Sequence, residues 1–375
     1  MPGTTELTQL AKRAAAEAGF ELAAIAPAHT FPELDYFPQW IAEGRNGEMR
    51  YLESRTAEGE LKRASLSCVA PWTKSVIVVA AAYNTGQPYS TDPAPPDAGW
   101  ISRYAWGQRD YHDVILPRLR QVEARLREAA DGIRSWCYVD TGPVAERVFA
   151  QHSGIGWIGK NACIINQQLG SWLFLGIILT SLELTPDLPA PDRCGTCTRC
   201  LDACPTDAFI APHRLDASRC ISYLTIEKRG QLPGELRAGM GRHVFGCDIC
   251  QDVCPWNNHS RKTPVVTSPE FQPREKLVNP SLEWLATIGE EEFRETFRGS
   301  PIKRAKRTGL RRNAIVAMGN SGNRSFLPVL RRIAESDTDD IVTAHARWSI
   351  GRLERADQDS GTCTRVLAQA YPSEQ

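Results

Sequence analysis

The stretch 194–205 reads CGTCTRCLDACP and places Cys194, Cys197, Cys200 and Cys204 at C-x2-C-x2-C-x3-C-P. Few sequence features restrict a fold as tightly. Thiolates at this spacing suit the corners of an iron–sulfur cubane, and in two-cluster proteins the fourth cysteine serves the neighbouring cluster. A second group, Cys247, Cys250 and Cys254 before Pro255, repeats the run without its first member, and Cys220 in SRCISYL is the available substitute. Crossing the two runs assigns Cys194, Cys197, Cys200 and Cys254 to one [4Fe–4S] cluster, and Cys204, Cys220, Cys247 and Cys250 to the other. Paired structural zinc sites are the alternative, because C-x2-C pairs also suit that ion. Three thiolates in succession with a trailing C-x3-C-P match cubanes better.

Eight of the twelve cysteines lie between 194 and 254. In a reducing compartment such clustering points to metal rather than to disulfides. Cys68, Cys137, Cys163 and Cys363 are scattered among apolar neighbours and read as small core residues. The formal net charge is zero, from 44 basic and 44 acidic residues. That excludes a globally basic nucleic-acid binder while leaving room for a local basic face. The first residues lack the apolar core of a signal peptide. The longest apolar run, SWLFLGIILT, is about half of what a bilayer helix requires. A soluble, cytoplasmic chain with no membrane partner is expected.

Three regions follow from the patterning. Residues 1–185 read as an α/β domain: ELAAIAPA, KSVIVVAAAY, WCYVD and SWLFLGIILT are buried strands, and TTELTQLAKRAAAEAGF and DVILPRLRQVEARLREAADG are amphipathic helices. TGQPYSTDPAPPDAGW is a surface loop rich in turn residues. The Pro-rich ELTPDLPAPDR leads into a ferredoxin-like module at 186–275 that carries the two clusters. Residues 276–375 are α-helical, and RRNAIVAMGNSG aligns with AHARWSIGRLE at an offset of 32 that matches Ala314 to Ala346 and Gly319 to Gly351. A HEAT-like helical pair has this kind of self-similarity.

Two adjacent clusters deliver two electrons singly, so a two-electron reduction elsewhere in the chain is expected. The chain has neither a Rossmann fingerprint nor a phosphate-binding loop. Asp140 stands where an apolar strand turns through Thr141, Gly142 and Pro143. Desolvation there can raise a carboxyl pKa and make a general acid. A turn-forming aspartate that caps the next helix is the plainer reading. DYHDVI begins like the D-x-H-x-x-G in which a histidine ligates cobalt, but Ile115 takes the glycine position, so His112 reads as a structural or pocket histidine.

RYAWGQRDYHDVI, VDTGPVAER, GIGWIGKN, GSWLFLG, CGTCTRCLDACPTDA, RCISYLTIE and GCDICQDVCPWN follow one another in this order. Together they resemble the epoxyqueuosine reductases, which complete queuosine at the tRNA wobble position. The resemblance runs from about residue 10 to beyond 320. It implies cobalamin held in the N-terminal domain, a site plan shared with reductive dehalogenases. An external low-potential donor would pass electrons through the clusters to cobalt, which would act on the epoxide carbon. The family's proton donor falls on Asp140. Arg63, Ile164, Leu175 and Ser222 match positions around the corrin, and Lys228 matches a position near the tRNA.

Between Thr296 and Ala334 there is no acidic residue but ten cations, among them Lys303, Arg304, Lys306, Arg307, Arg311 and Arg312. Phosphate contacts dominate RNA affinity, so this face is expected to grip the tRNA. A solvated helix face is the alternative. Two rivals remain for the whole chain. One is a cobalamin-dependent reductive dehalogenase, which the basic C-terminal region speaks against. The other is a non-catalytic electron-transfer subunit.

Overall fold

The run Ser75–Ala82 is apolar at nearly every position because the sheet it centres is covered on both faces. Successive side chains in a strand point to opposite faces. Ile77, Val79 and Ala81 meet Leu7, Ala11, Val114, Ile115 and Leu119 of helices Thr4–Glu17 and Tyr111–Ala129. Val76, Val78 and Ala80 meet Val144, Val148 and Phe149 on the other side, where the short helix Glu146–His152 packs. The structure is a computed structural model that describes residues 3–260 and 268–370, with the side chains of 258–260 and 356–370 outside the description.

All four expected strands form and share one sheet, in the order Leu22–Pro27, Ser75–Ala82, Leu173–Thr180, Ser135–Tyr138. Every pairing is antiparallel. The N-terminal region is therefore a mixed α/β layer structure built on an antiparallel sheet, with helices on both faces. The Pro-rich stretch 85–100 is more than a surface loop. Ser90 donates to Asp252 from both its backbone nitrogen (2.8 Å) and its hydroxyl (2.5 Å), and Trp100–Ile101 pairs in parallel with His243–Phe245.

Ile101, Trp106, Val244 and Phe245 sit in one core with the C-terminal helices, so packing crosses both expected boundaries. The segments aligned at offset 32 lie on helices Lys306–Asn320 and Asp340–Ala370, which pack against each other. Gly319 allows that approach: a Cβ there would stand 2.7 Å from the Ser349 hydroxyl, which itself donates to the Ile315 carbonyl at 2.8 Å. Among the described residues no helix is long and apolar enough to cross a membrane.

Candidate functional site

Each C-x2-C pair leads into one turn of helix, Arg199–Asp202 after the first run and Ile249–Asp252 after the second, and the two turns pack together. That packing brings the far ends of the runs side by side. Burial and then the charges of Cys254, Cys194 and Cys197 raise the Cys200 thiol. Burial and then Cys220 raise Cys247, with Cys204 also contributing. Cys200 thus lies near enough to Cys194, Cys197 and Cys254 to feel their charge, as Cys247 does that of Cys220 and Cys204. Among the described residues no three His, Cys, Asp or Glu side chains are grouped to hold a single metal ion. Cys163 is no plain core residue, because its thiol lies beside that of Cys250 and the two are electrostatically linked. Cys68 instead donates to Glu60 Oε2 at 2.8 Å, while Cys137 is half-buried and Cys363 has its side chain outside the described residues.

The module is fastened to the sheet domain beside these cysteines. Asp248 accepts from the Arg103 backbone nitrogen at 2.7 Å and from the Ser102 hydroxyl. Arg103 is 2% exposed. Its guanidinium stands over Tyr89, Trp106 and Trp172 and donates to the Thr85, Gln87 and Pro88 carbonyls.

Asp140 lies just beyond strand Ser135–Tyr138 in the left-handed region, φ 58°. Asp tolerates this conformation better than most side chains. Gly142 lets the turn close, since a Cβ there would overlap the Tyr138 ring. The Asp140 carboxylate is exposed rather than enclosed among apolar neighbours. It accepts the Tyr111 hydroxyl at 2.9 Å on Oδ2, and the Asp140 backbone nitrogen donates to Glu146 Oε1 at 2.7 Å. Sequence reasoning missed both partners, although they stand in the same quoted motifs. Tyr111 is held in turn by stacking on Phe174 (4.5 Å, 5°) and on His112 (4.0 Å, 30°). His112 also contacts Asp110 at 2.7 Å through Nδ1, as a structural histidine would.

Glu146, half-buried, is the more enclosed of the two carboxyls. Burial, followed by the charge of Asp140, pushes it up to about 8 against the opposing Asp140 amide, Arg63 and Arg147. An unfolded glutamate ionises near 4.5. The folded group keeps its proton up to about 8, so raising pH through that window favours the unfolded chain. Compared with Glu146→Gln, the wild type is expected to lose roughly 2–4 kcal/mol of stability between about pH 5 and 8. Denaturant melts of both proteins across that range check this. Parallel curves would show that Glu146 is ionised throughout.

Three of the four residues assigned to the corrin gather about Val144, four residues beyond Asp140. Arg63 donates to the Val144 carbonyl at 3.3 Å, and Ile164 and Leu175 pack in the same cluster as Val144. Ile164 is only 5% exposed, whereas Leu175 is half-buried. Ser222 stands apart in the cysteine module, two residues beyond Cys220 at the start of helix Ile221–Ile226. Apolar side chains, one arginine and one hydroxyl beside Cys220 suit a large, amide-fringed macrocycle.

Residues 193–257 match the 4Fe-4S double cluster binding domain, and residues 63–141 match the family model for epoxyqueuosine reductase QueG. The epoxyqueuosine reductase of Pseudomonas aeruginosa is 39% identical over 356 residues, covering 94% of this chain and 96% of that protein. This chain belongs to the epoxyqueuosine reductase family. The Escherichia coli reductase is 34% identical and aligns over 93% of this chain and 90% of its own length. Among solved structures, an epoxyqueuosine reductase with a tRNA-Tyr epoxyqueuosine-modified stem loop superposes at TM-score 0.82 and 32% identity, covering 93% of this chain and 90% of that one. A Bacillus subtilis epoxyqueuosine reductase whose catalytic aspartate loop is swung out of the active site superposes at 0.81 with the same identity and coverage. The family is that of an oxidoreductase, and both rival readings fall away.

The basic stretch of this reductase differs from its sequence expectation. Arg312 is 1% exposed and donates to the Lys228, Gly230 and Leu224 carbonyls and to Asn313. Arg311, 6% exposed, pairs with Asp337 and donates to the Ala286 carbonyl. Neither can reach a phosphate, and both are corrected from RNA contacts to parts of the core. The acid-free run meets its carboxylates in three dimensions: Lys303 lies 3.7 Å from Asp110, Arg304 grips Glu227, Arg307 lies 3.3 Å from Glu290. Lys228 is half-buried and paired with Glu48. Lys303, Arg304 and Lys306 remain exposed.

Proposed function

We propose that this chain reduces the epoxide of epoxyqueuosine to the alkene of queuosine at the tRNA wobble position. Two electrons and two protons convert the epoxide to alkene and water. The observation that carries the reading is the Asp140 turn, braced by Tyr111 and Glu146, in a chain that epoxyqueuosine reductases match along nearly its whole length. On this reading residues 1–185 form a cobalamin-binding domain, 186–275 the ferredoxin-like module, and 276–375 a HEAT-like domain that grips tRNA. The enzyme works in the cytoplasm with an external low-potential electron donor.

The donor set fits cobalamin, with Arg63 and Ser222 as polar contacts and Ile164 and Leu175 as apolar ones. When bound, it supplies a strongly nucleophilic metal centre for the epoxide carbon. Asp140 gives its proton to the departing epoxide oxygen. Tyr111 fixes which way that carboxyl points, and Glu146 holds the turn through the Asp140 amide. Anaerobically purified protein is expected to hold about eight irons per chain and to take up one cobalamin. Stoichiometric zinc, or no cobalamin uptake, would contradict this.

For RNA, the exposed Lys303 and Lys306 take over the phosphate role that the sequence spread over six residues. Lys303→Ser with Lys306→Ser is expected to lower the slope of log K against log salt by about 0.7–0.9 for each phosphate no longer neutralised. Arg312→Met is expected to leave the slope unchanged while costing about 3–5 kcal/mol of stability, since it orphans buried carbonyls. Salt titrations of stem-loop binding, alongside unfolding curves, separate the two.

A further inference from the structure

Three large apolar side chains are conspicuously exposed among the described residues, Tyr51 (49%), Leu188 (86%) and Ile210 (43%). Of these, Tyr51 has an arginine over its ring, with Arg304 Cζ lying 5.5 Å from the centroid. The guanidinium plane is fixed from behind. Arg304 is clamped on Glu227 by two hydrogen bonds, Nε to Oε1 at 2.9 Å and Nη2 to Oε2 at 3.1 Å, and its carbonyl accepts from Arg229 at 2.8 Å.

Tyr51 sits in the turn Arg50–Glu53, whose approach is anchored on the cysteine module: the Glu48 backbone nitrogen donates to the Tyr223 hydroxyl at 2.8 Å. Gly47, at φ 58°, is required there, since a Cβ would run into the Tyr223 ring. The buried Asn46 donates to Glu53 at 2.8 Å and ties the end of the turn to its approach. The charges of Glu227, Arg304, Asp140 and Arg63 all act on the Tyr51 hydroxyl, and that of Asp140 also acts on Arg304. Asp140 is therefore near enough to act electrostatically on both members of the pair.

We propose that the Tyr51 ring and the clamped Arg304 guanidinium form a stacking shelf for an unpaired nucleobase of the RNA substrate, flanking the one that reaches Asp140. Aromatic rings and guanidinium planes are the surfaces on which proteins hold splayed RNA bases. This rests on the reading of tRNA as substrate. It also gives Arg304 a role in which its plane, rather than its charge, matters.

The test uses holoenzyme and an anticodon stem-loop RNA, with 2-aminopurine placed in turn at each loop position. Wild type is expected to quench one position on binding. Tyr51→Ala is expected to abolish that quench and weaken binding about 5- to 100-fold, with iron and cobalamin content unchanged. Tyr51→Phe should bind within about twofold of wild type, because the ring alone stacks. Arg304→Lys should weaken binding while leaving its salt slope intact. The shelf is overturned if Tyr51→Ala binds as wild type does, or if its weaker RNA binding merely tracks lower cobalamin content. Failure of the wild-type holoenzyme to bind the stem loop would instead sink the RNA reading, and the shelf with it.

Discussion

Asp140→Asn is expected to retain both clusters and cobalamin while slowing reduction by roughly two to four orders of magnitude, the usual worth of a positioned acid. The substitution is well placed for this test. Asparagine accepts the left-handed backbone at φ 58° about as readily as aspartate. Its amide oxygen can still receive the Tyr111 hydroxyl, and the backbone donation to Glu146 is untouched. What disappears is the transferable proton. Single-turnover rates under anaerobic conditions measure the effect. A near-normal rate would show that solvent protonates the departing oxygen.

The second large effect concerns the crossed cysteines. Cys254→Ala is expected to lose about four of eight irons and all turnover, because one link of the electron path is gone. The crossing itself shows in pairs. Cys254→Ala combined with Cys197→Ala strikes the same cluster twice, so about four irons should remain. Cys250→Ala combined with Cys197→Ala strikes both and should leave almost none. Almost no iron in the first pair as well would mean that each run keeps its own fourth cysteine.

Much of this was legible because its signals are local. The strands Leu22–Pro27, Ser75–Ala82, Ser135–Tyr138 and Leu173–Thr180 announce themselves as short apolar runs. Their antiparallel order does not, since pairing is decided by which runs meet in space. The cysteines were readable because cluster ligation fixes spacing, and the two short helices that follow the runs pack together. The basic face misled for the opposite reason. Asp110, Glu227, Glu290 and Asp337 lie outside the acid-free run, and only folding delivers them to its arginines and lysines. Burial of Arg312 was equally invisible, because its partners are backbone carbonyls that any sequence supplies. Asp140 stood out by its strand end, whereas Glu146 needed the turn to bring it under the Asp140 amide.

The most direct measurement is the mass of an epoxyqueuosine-bearing stem-loop RNA after anaerobic incubation with the cobalamin-loaded, fully clustered protein and a low-potential reductant. The expected result is removal of one oxygen atom from the modified nucleoside, dependent on cobalamin and abolished in Cys254→Ala. An unchanged RNA mass, with iron and cobalamin both present in full, would contradict assignment of the reduction to this chain.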